Sequence, residues 1–510
     1  MPTITQGDLF TATLEVLEHP PLGVPALDAG PREAVVRLAG QKSLVRILDG
    51  AEGHDLDLAL PGGYRHRHGK LRLTAHRLTR DVLAIKAGER RIALLRLRDR
   101  AVGMPDFDPE GNHHPALRPT RPLRMRRGRT LGRTSPWETL RLAAEVALPI
   151  VVQGVILRRP LGVRLAAMAR ADQRANRLLA RLRERHDGGP LLVRIPLRGW
   201  AVIPLTGDDV RRTLHGAEFT PANREKQGAL GHFELDAVLI TRDPELRAQR
   251  RAFNEEVLRP DRIAEAVRTK VADEVATLPT RGVISWPEFH AAHWRIARRV
   301  VLGDSARDDE QLTLLLDRLR GDANWSYLVA RRTDARGAFQ RRLEAHLSRA
   351  EEDSLAGVLA QTRADPAVHP EGQAPQWLFA YDAAGIAAWR ALALLAGQEG
   401  PNDAERLRAA LLESLRRWPT TLAILRDTTA PTTWRGVTVP AGSMVAVVTS
   451  FIDQVPFSDG PARCPGEGLV MLTATRVLEE ILREREVRVI GKPPLLDHFR
   501  LRFTVRPRER

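Results

Sequence analysis

The N-terminal part of the chain alternates apolar and polar side chains. The alternation runs through FTATLEV, AVVRLAG, SLVRIL, DLDLAL, KLRLTAHRL and VLAIKAGERRIALLRLR. A period of two places the apolar side chains on one face of an extended chain, and the glycines in segments 61–63 and 86–90 mark turns between such strands. This pattern predicts a small all-β N-terminal domain over residues 1–105, a barrel or sandwich of about five to seven strands.

After residue 135 the apolar positions recur every three to four residues, which indicates helices. Ser135 and Glu138 have the spacing of a capping box at the start of this region. PLLVRIP and WAVIPL together predict one hairpin. Two more are predicted, one within TWRGVTVPAGSMVAVV and one at HFRLRFTV. We therefore predict an α-rich domain with a small sheet over residues 136–510. Its long amphipathic stretches are 164–186, 243–277, 287–302, 308–350, 376–397, 403–417 and 466–486.

Residues 106–135 separate the two patterns and are rich in proline, glycine and arginine. They lack periodicity, which predicts a linker. Their segment 117–133 contains seven arginines and no acidic residue. Such a run suits an anionic membrane or nucleic acid, but no aromatic side chain is interleaved for base stacking. We interpret the segment as a solvated linker and predict no nucleic-acid partner.

The charge and the cysteine content restrict the partners and the compartment. Lysine and arginine number 79 and aspartate and glutamate 63, which gives a net charge of +16. That balance suits nucleic acid, an acidic protein partner or an anionic cofactor. No run approaches the roughly 20 apolar residues of a transmembrane helix, and the start of the chain lacks the pattern of a secretion signal. A single cysteine excludes an intramolecular disulfide, so we expect a cytoplasmic protein without a transmembrane segment.

That cysteine, Cys464, lies in PFSDGPARCPGEGL, directly before an amphipathic helix pattern. A helix N-terminus is expected to lower the pKa of the thiol and to favour the thiolate, the form that binds a metal. Gly460 and Gly466 let the backbone pass close to a flat ligand. Taken alone, the residue is better explained as a small buried cysteine in a turn.

The pattern Phe457-x-x-Gly460-x-x-x-Cys464-x-Gly466 resembles the haem-binding loop of the cytochromes P-450, in which the cysteine thiolate is the axial ligand of haem iron. Upstream, LLESLRRWPTTLAILRDTT resembles the Glu-x-x-Arg helix of the same family, and WRGVTVPAG then follows in family order. The resemblance covers residues 136–510. It implies a mainly α fold with a small β region, haem b (iron protoporphyrin IX) as cofactor, and Cys464 as the ligand of its iron.

The resemblance assigns further positions to this site. Glu413 and Arg416 are the structural pair of the Glu-x-x-Arg helix, one turn apart. Arg426 and Arg250 match arginines that pair with haem propionates, as charge-assisted contacts. Arg463 stands next to the usual propionate-binding position and is expected to reach a propionate too.

The segment WLFAYDAAGIAAWRALALLA resembles the family's distal helix. Ala384 and Gly385 match the small residues that leave room for dioxygen. The acid and threonine that relay protons are replaced by Ala387 and Ala388, neither of which can carry a proton. General acid assistance is commonly worth about 10² to 10⁴ in rate, and Asp382 is a weak substitute because it faces away by about 140°.

A second departure lies just before the cysteine loop. Only a few residues separate MVAVVTSF from VPFSDG, where the family has a long meander. The arginine that completes a triad with Glu413 and Arg416 has no counterpart. We therefore expect a smaller or open proximal face, where a redox partner docks.

The resemblance implies an oxidoreductase, most simply a monooxygenase that oxidises a small organic substrate of the secondary-metabolite kind with dioxygen. Electrons would come from a ferredoxin and its reductase, and an acidic ferredoxin suits this basic chain. Substrate contacts are expected from residues 216–242, 318–345 and 381–388, with His232 interpreted as a surface-loop histidine. Two alternatives stay open. One is a peroxygenase, isomerase or dehydratase, and the other is a catalytically degenerate haem-binding or recruitment protein.

Overall fold

A computed structural model describes eight N-terminal strands and residues 132–508 apart from 197, 399 and 453–454. The chain divides into two compact units, Met1–Arg129 and Thr130–Arg510. Most of the predicted linker, up to residue 131, lies outside the described residues. The two units are described separately below.

The N-terminal unit is an eight-stranded sheet in the order β4-β3-β2-β1-β8-β7-β6-β5, and every neighbouring pair is antiparallel. The sheet curls, because β4 at one edge approaches β5 and β6 at the other. The prediction of an all-β region is therefore confirmed, with one strand more than expected. The strands are Leu9–Val16 (β1), Pro31–Ala39 (β2), Lys42–Asp49 (β3), Glu52–Ala59 (β4), Tyr64–Arg65 (β5), Arg72–Thr79 (β6), Val82–Ala87 (β7) and Arg90–Arg100 (β8).

The second unit is mainly helical, as the periodicity predicted. A π-helical turn at Ala143–Ala147 joins the first two helices into one continuous helix. The helices are Pro136–Leu142 (α1), Leu148–Gln153 (α2), Pro160–Met168 (α3), Ala171–Arg185 (α4), Gly207–His215 (α5), Arg224–Leu230 (α6), Pro244–Val257 (α7), Ala264–Ala276 (α8), Trp286–Leu302 (α9), Glu310–Ala323 (α10), Thr333–Leu347 (α11), Leu355–Gln361 (α12), Ala374–Leu395 (α13), Ala404–Arg417 (α14) and Glu467–Glu484 (α15).

Small sheets flank these helices. A six-stranded sheet has the order β12-β14-β17-β11-β10-β9, a three-stranded sheet has the order β13-β19-β18, and β15 pairs with β16. The strands are Gly132–Arg133 (β9), Leu191–Ile195 (β10), Gly199–Ile203 (β11), Phe219–Thr220 (β12), Gly282–Ser285 (β13), Ala423–Thr428 (β14), Thr432–Trp434 (β15), Val437–Val439 (β16), Met444–Val448 (β17), Arg485–Val489 (β18) and Arg502–Pro507 (β19).

Local signals in the sequence explain several boundaries. The capping box is confirmed, since the Ser135 hydroxyl accepts from the Glu138 N–H (3.2 Å) and the Glu138 carboxylate accepts from the Ser135 N–H (2.8 Å). The predicted stretch 243–277 is divided at Pro260, because proline cannot donate within a helix. The hairpin predicted within residues 433–448 is formed by β15 and β16, in which Trp434 lies opposite Val437. β17 is not part of this hairpin and pairs with β14 and with the distant β11.

The main core lies where α8, α9, α13 and α15 pack against one another. Its largest buried rings include Trp389 on α13 and Phe289 on α9, which stack with centroids 4.6 Å apart. Within the described residues, the helical stretch Pro366–Leu395 is long and apolar enough to cross a membrane, yet 72% of its most apolar window is buried inside the protein. Such burial is typical of a core helix.

Candidate functional site

The cysteine loop, residues 457–466, closes on itself immediately before α15. The Cys464 backbone N–H donates to the Phe457 carbonyl (2.8 Å), and the Arg463 N–H donates to the Gly460 carbonyl (3.0 Å). The Phe457 side chain packs against the main core. These contacts hold the thiol at a fixed place just ahead of the helix.

The shape of this loop requires glycine at position 460. Gly460 has a φ of +64°, and a Cβ there would lie 2.4 Å from the Leu214 carbonyl oxygen. No other residue could satisfy both conditions. At Gly466, the N-cap of α15, a Cβ would make only an ordinary contact of 3.5 Å with Leu258.

The Cys464 thiol is surrounded by opposing influences. Burial raises the pKa of the thiol, whereas the Gly466 backbone N–H and the charges of Arg251 and Arg463 act in the other direction. The expected lowering is therefore wrong for the protein by itself, because burial is the largest effect. The Arg463 side chain pairs with Glu467 (2.8 Å) at the surface.

Three cations, Lys226 of α6, Arg247 of α7 and Arg426 of β14, form what we call the cation cluster. Arg426 donates to the hydroxyl of Ser458 in the cysteine loop (3.2 Å). Its charge repels both Lys226 and Arg247. The cluster therefore lies beside the loop that carries the cysteine.

The cation cluster binds only neutral oxygens. Lys226 donates to two backbone carbonyls (3.1 and 2.7 Å), and Arg247 donates to two others (3.0 and 3.2 Å). Burial lowers the pKa of all three cations, that of Arg426 to about 10 with repulsion from Arg247 as a further cause. Like charges held together with a lowered pKa are stabilised by a bound anion.

The carboxylates next to Lys226 and Arg426 in sequence are already occupied. Glu225 precedes Lys226, and Asp427 follows Arg426, yet both carboxylates pair with Arg198. Over the part of the chain that the structure describes, no member of the cation cluster has an ion-pair partner. The two propionates of a haem are the kind of anion that this cluster fits, so the residues present are compatible with the expected cofactor.

The arginines of α7 differ from the sequence expectation. Arg250 is buried and pairs with Asp236 (2.6 Å), so its charge is compensated inside the protein. Arg251 donates to the carbonyl of Arg463 in the cysteine loop. Sequence reasoning missed Arg247, which lies one turn before Arg251 on the same face, and a helical-face comparison of the three arginines could have found it.

No protein-family model matches the chain, and no curated protein matches it. Solved structures do. Cyanobacterial CYP120A1 with bound retinoic acid is 14% identical, with a TM-score of 0.52 over 64% of this chain and 93% of that one. CYP175A1 from Thermus thermophilus is 17% identical, with a TM-score of 0.52 over 66% and 96%. Cytochrome P450SP alpha in complex with (R)-ibuprophen is 16% identical, with a TM-score of 0.50 over 65% and 96%.

The helical unit has the cytochrome P450 fold. Within this P450 fold, Glu413 and Arg416 form a bidentate pair on α14 (2.7 and 3.0 Å). Arg416 lowers the pKa of Glu413 to about 2, with Arg417 as a further cause. The Glu413 and Arg416 side chains remain 32% and 46% exposed, so this pair lies at the surface.

The segment that resembles the family's distal helix forms α13. A Cβ at Gly385 would lie 2.6 Å from the ring of His293 on α9, so this glycine allows α9 and α13 to pack closely. Ala384 is buried as well. Ala384 and Gly385 therefore do not lie on the partly accessible side of α13. That side is formed by Gln376, Phe379, Ala380 and Ala383, of which the two alanines are small.

The relay positions Ala387 and Ala388 are fully buried. Asp382, the weak substitute, pairs with Arg320 of α10 (2.6 Å) and with His290 of α9 (3.2 Å). Burial alone would raise the pKa of Asp382, but Arg320 and His290 overcome it and hold this pKa well below its usual range. Asp382 therefore stays ionised and cannot donate a proton.

The segment between α6 and α7 contributes a different carboxyl group. Glu234 is buried beside Gln376 of α13, and with the amide turned so that its nitrogen faces the carboxyl group the two contacts measure 3.0 and 2.8 Å. Burial raises the pKa of Glu234 well above its usual value, although Arg320 opposes the shift. His232 is also buried, so its interpretation as a surface histidine is wrong.

Proposed function

We propose that this chain is a haem-thiolate oxidoreductase of the cytochrome P-450 type. The observation that carries the proposal is the position of Cys464 on a closed loop beside a cation cluster to which the described residues offer no carboxylate partner. The P450 fold of the helical unit supports the same assignment.

The residues that would hold the cofactor, haem b in this proposal, can be named. Cys464 would bind the iron, and Lys226, Arg247 and Arg426 would bind the propionates. A haem-thiolate centre supplies oxygen activation for insertion into unactivated bonds. The protein contributes the fixed loop and the Gly466 N–H that stabilises the thiolate.

The most direct reaction is monooxygenation of a small organic substrate with dioxygen and electrons from a ferredoxin. The accessible side of α13, with Ala380 and Ala383, would face that substrate together with the segment that carries Glu234. Because Asp382 is ionised, we assign the proton-holding role near α13 to Glu234, whose pKa is raised well above its usual value by burial.

The test is a carbon-monoxide difference spectrum of the reduced protein, produced with added haem precursor. The wild type should show the band typical of a thiolate-ligated haem, and Cys464→Ser should lose that band. Arg483→Gln, at the exposed far end of α15, is the matched control and should keep it. Purification without haem, or an unchanged spectrum in Cys464→Ser, would contradict the proposal.

A second candidate reaction is favoured by the buried pair Ala387 and Ala388. Peroxide already carries the two electrons and two protons that dioxygen must acquire, so its use requires no net delivery of protons by a relay. Rearrangement or dehydration of an oxidised substrate would also avoid the relay. Turnover with hydrogen peroxide but none with NADPH, ferredoxin and reductase would select this candidate, and the reverse result would select monooxygenation. Haem binding without turnover under any condition would point to a degenerate role.

A further inference from the structure

The first helices of the helical unit have their apolar side chains on the outside. In the continuous helix formed by α1, the π-helical turn and α2, the exposed side chains are all apolar, among them Trp137, Leu140, Leu148 and Val151. Trp137 is 67% exposed. The charged residues of this helix face inward or pair with each other, which reverses the usual arrangement of a surface helix.

The next helix, α3, repeats this reversal. Leu161, Leu165 and Met168 recur at intervals of four and three residues on its outer side, and Leu161 is 74% exposed. Its buried positions hold small residues instead, such as Ala166 and Ala167. A soluble surface rarely leaves such a stripe uncovered.

A distant part of the chain extends the same surface. The side chain of Asn324, at the end of α10, accepts from the Ile156 N–H (2.9 Å) and donates to the Leu157 carbonyl (2.8 Å). The Arg159 guanidinium lies 4.6 Å from the centre of the Trp325 ring. Trp325 therefore adjoins the loop between α2 and α3.

Tyr327 and Leu328 lie in the same connection between α10 and α11 and are 63% and 80% exposed. We call this surface, made of the exposed apolar side chains of α1 to α3 and of the α10–α11 connection, the outer apolar face. Two segments far apart in sequence thus contribute to it.

Arginine predominates around the outer apolar face, and the two acidic residues on its first helix, Glu138 and Glu145, already pair with arginines. Residues 146–171 contain four arginines and no acidic residue, and residues 323–333 contain two arginines and no acidic residue. The arginine-rich segment 117–133 precedes α1 in the chain. Apolar side chains with an arginine fringe and aromatic residues are the composition of a surface that lies in the interface of an anionic bilayer.

We propose that the outer apolar face docks this protein on an anionic lipid surface, without any segment crossing the bilayer. A second copy of the chain would bring arginine fringes against each other, which is electrostatically disfavoured, whereas acidic lipid headgroups complement the arginines.

The experiment is sedimentation of the full chain with two kinds of vesicle, phosphatidylcholine alone and phosphatidylcholine mixed with phosphatidylglycerol. The wild type should bind the mixed vesicles more tightly, and added salt should weaken that binding. The double substitution Leu161→Glu and Leu165→Glu should weaken binding at least about tenfold by removing inserted apolar surface. Arg164→Gln, in the same helix, should weaken it about fivefold.

The matched control is Val283→Glu, because Val283 is an exposed large apolar residue outside this face. It should bind like the wild type, and circular dichroism should show all variants folded. Failure of the wild type to sediment with mixed vesicles would overturn the proposal. Binding of the Leu161→Glu, Leu165→Glu variant as tight as that of the wild type would also overturn it, since the segment 117–133 would then suffice for vesicle binding. A lower mass in solution for that variant, in the absence of vesicle binding, would overturn it too, since a second copy of the chain would then cover the face.

Discussion

Replacement of Arg426 by leucine should stabilise the haem-free protein while weakening haem binding. Arg426 is 3% exposed, and burial together with Arg247 lowers its pKa from 12.5 to about 10. A shift of this size corresponds to about 3 kcal/mol of unfavourable free energy for keeping the charge in the folded protein. Removing the charge recovers that amount, and losing the hydrogen bond to Ser458 costs about 1 kcal/mol. We therefore expect a net gain of about 1 to 2 kcal/mol in the free energy of unfolding.

The effect on haem should have the opposite sign. A hydrogen bond to a charged group contributes about 1.5 to 3 kcal/mol, so Arg426→Leu should weaken haem binding roughly 10-fold to 100-fold. Urea unfolding of the haem-free protein measures the first effect. Tryptophan fluorescence suits it because all nine tryptophans lie in the helical unit, between Trp137 and Trp434. A haem titration measures the second effect.

Arg485→Leu provides the contrast for this experiment. Arg485 is equally buried, but it donates to the carbonyls of Val275, Leu278 and Pro279 at the end of α8. Its loss should lower stability and leave haem affinity unchanged, because those carbonyls lose their donor. If Arg426→Leu behaves like Arg485→Leu, the cation cluster is a structural element and our reasoning about the cofactor fails.

Three further predictions concern other groups. Arg320→Met should destabilise the protein by about 3 to 5 kcal/mol in urea unfolding, because it leaves the Asp382 carboxylate buried without its main partner. Adding Asp382→Asn should restore part of the lost stability. Equal stability of all variants would contradict this prediction. Because the pKa of Glu413 is lowered, its carboxylate stabilises the folded protein above pH 4.5, and this stabilisation is lost as the pH falls toward about 2. Glu413→Gln should remove this pH-dependent part of the free energy of unfolding. An unfolding profile between pH 2 and 5 that matches the wild type would speak against it. The pKa of Glu234 is raised, so its protonated form favours folding below pH 4.5, and this contribution to the free energy of unfolding declines as the pH rises. Glu234→Gln should flatten that decline. The same slope of unfolding free energy against pH in both proteins would show that Glu234 is ionised.

The elements of the helical unit follow from local sequence. Helical periodicity, the capping box at Ser135 and the loop around Cys464 depend on residues close together in the chain, so all three were predictable. The partner of β17 was not, because strand pairing depends on contacts far away in sequence. The local pattern places β17 directly after the β15–β16 hairpin, and its pairing with β11, more than 200 residues earlier in the chain, depends on the six-stranded sheet as a whole.

The site shows the same limit at the level of single side chains. The sequence placed arginines on α7, but only the folded arrangement decides that the charge of Arg247 acts on Arg426 while Arg250 pairs with Asp236. Gly385 matched a motif for dioxygen, and its close contact with His293 depends on an approach of α9 that no local pattern shows. Glu234 was one of many residues in a predicted substrate segment, and its burial against α13 distinguishes it.

The packing around Ala387 and Ala388 limits how this chain can change in evolution or in the laboratory. Both positions are fully buried, and the carbonyl of Ala387 accepts from the Ser414 hydroxyl of α14 (2.9 Å). An acid at 387 would place a carboxyl group in an apolar core, and a threonine at 388 would add volume to a filled space, each at a cost of about 1 to 3 kcal/mol. Reintroducing the usual acid and threonine therefore requires compensating changes on the helices packed against α13. A two-residue reversion by itself would lose stability before it gained a proton path.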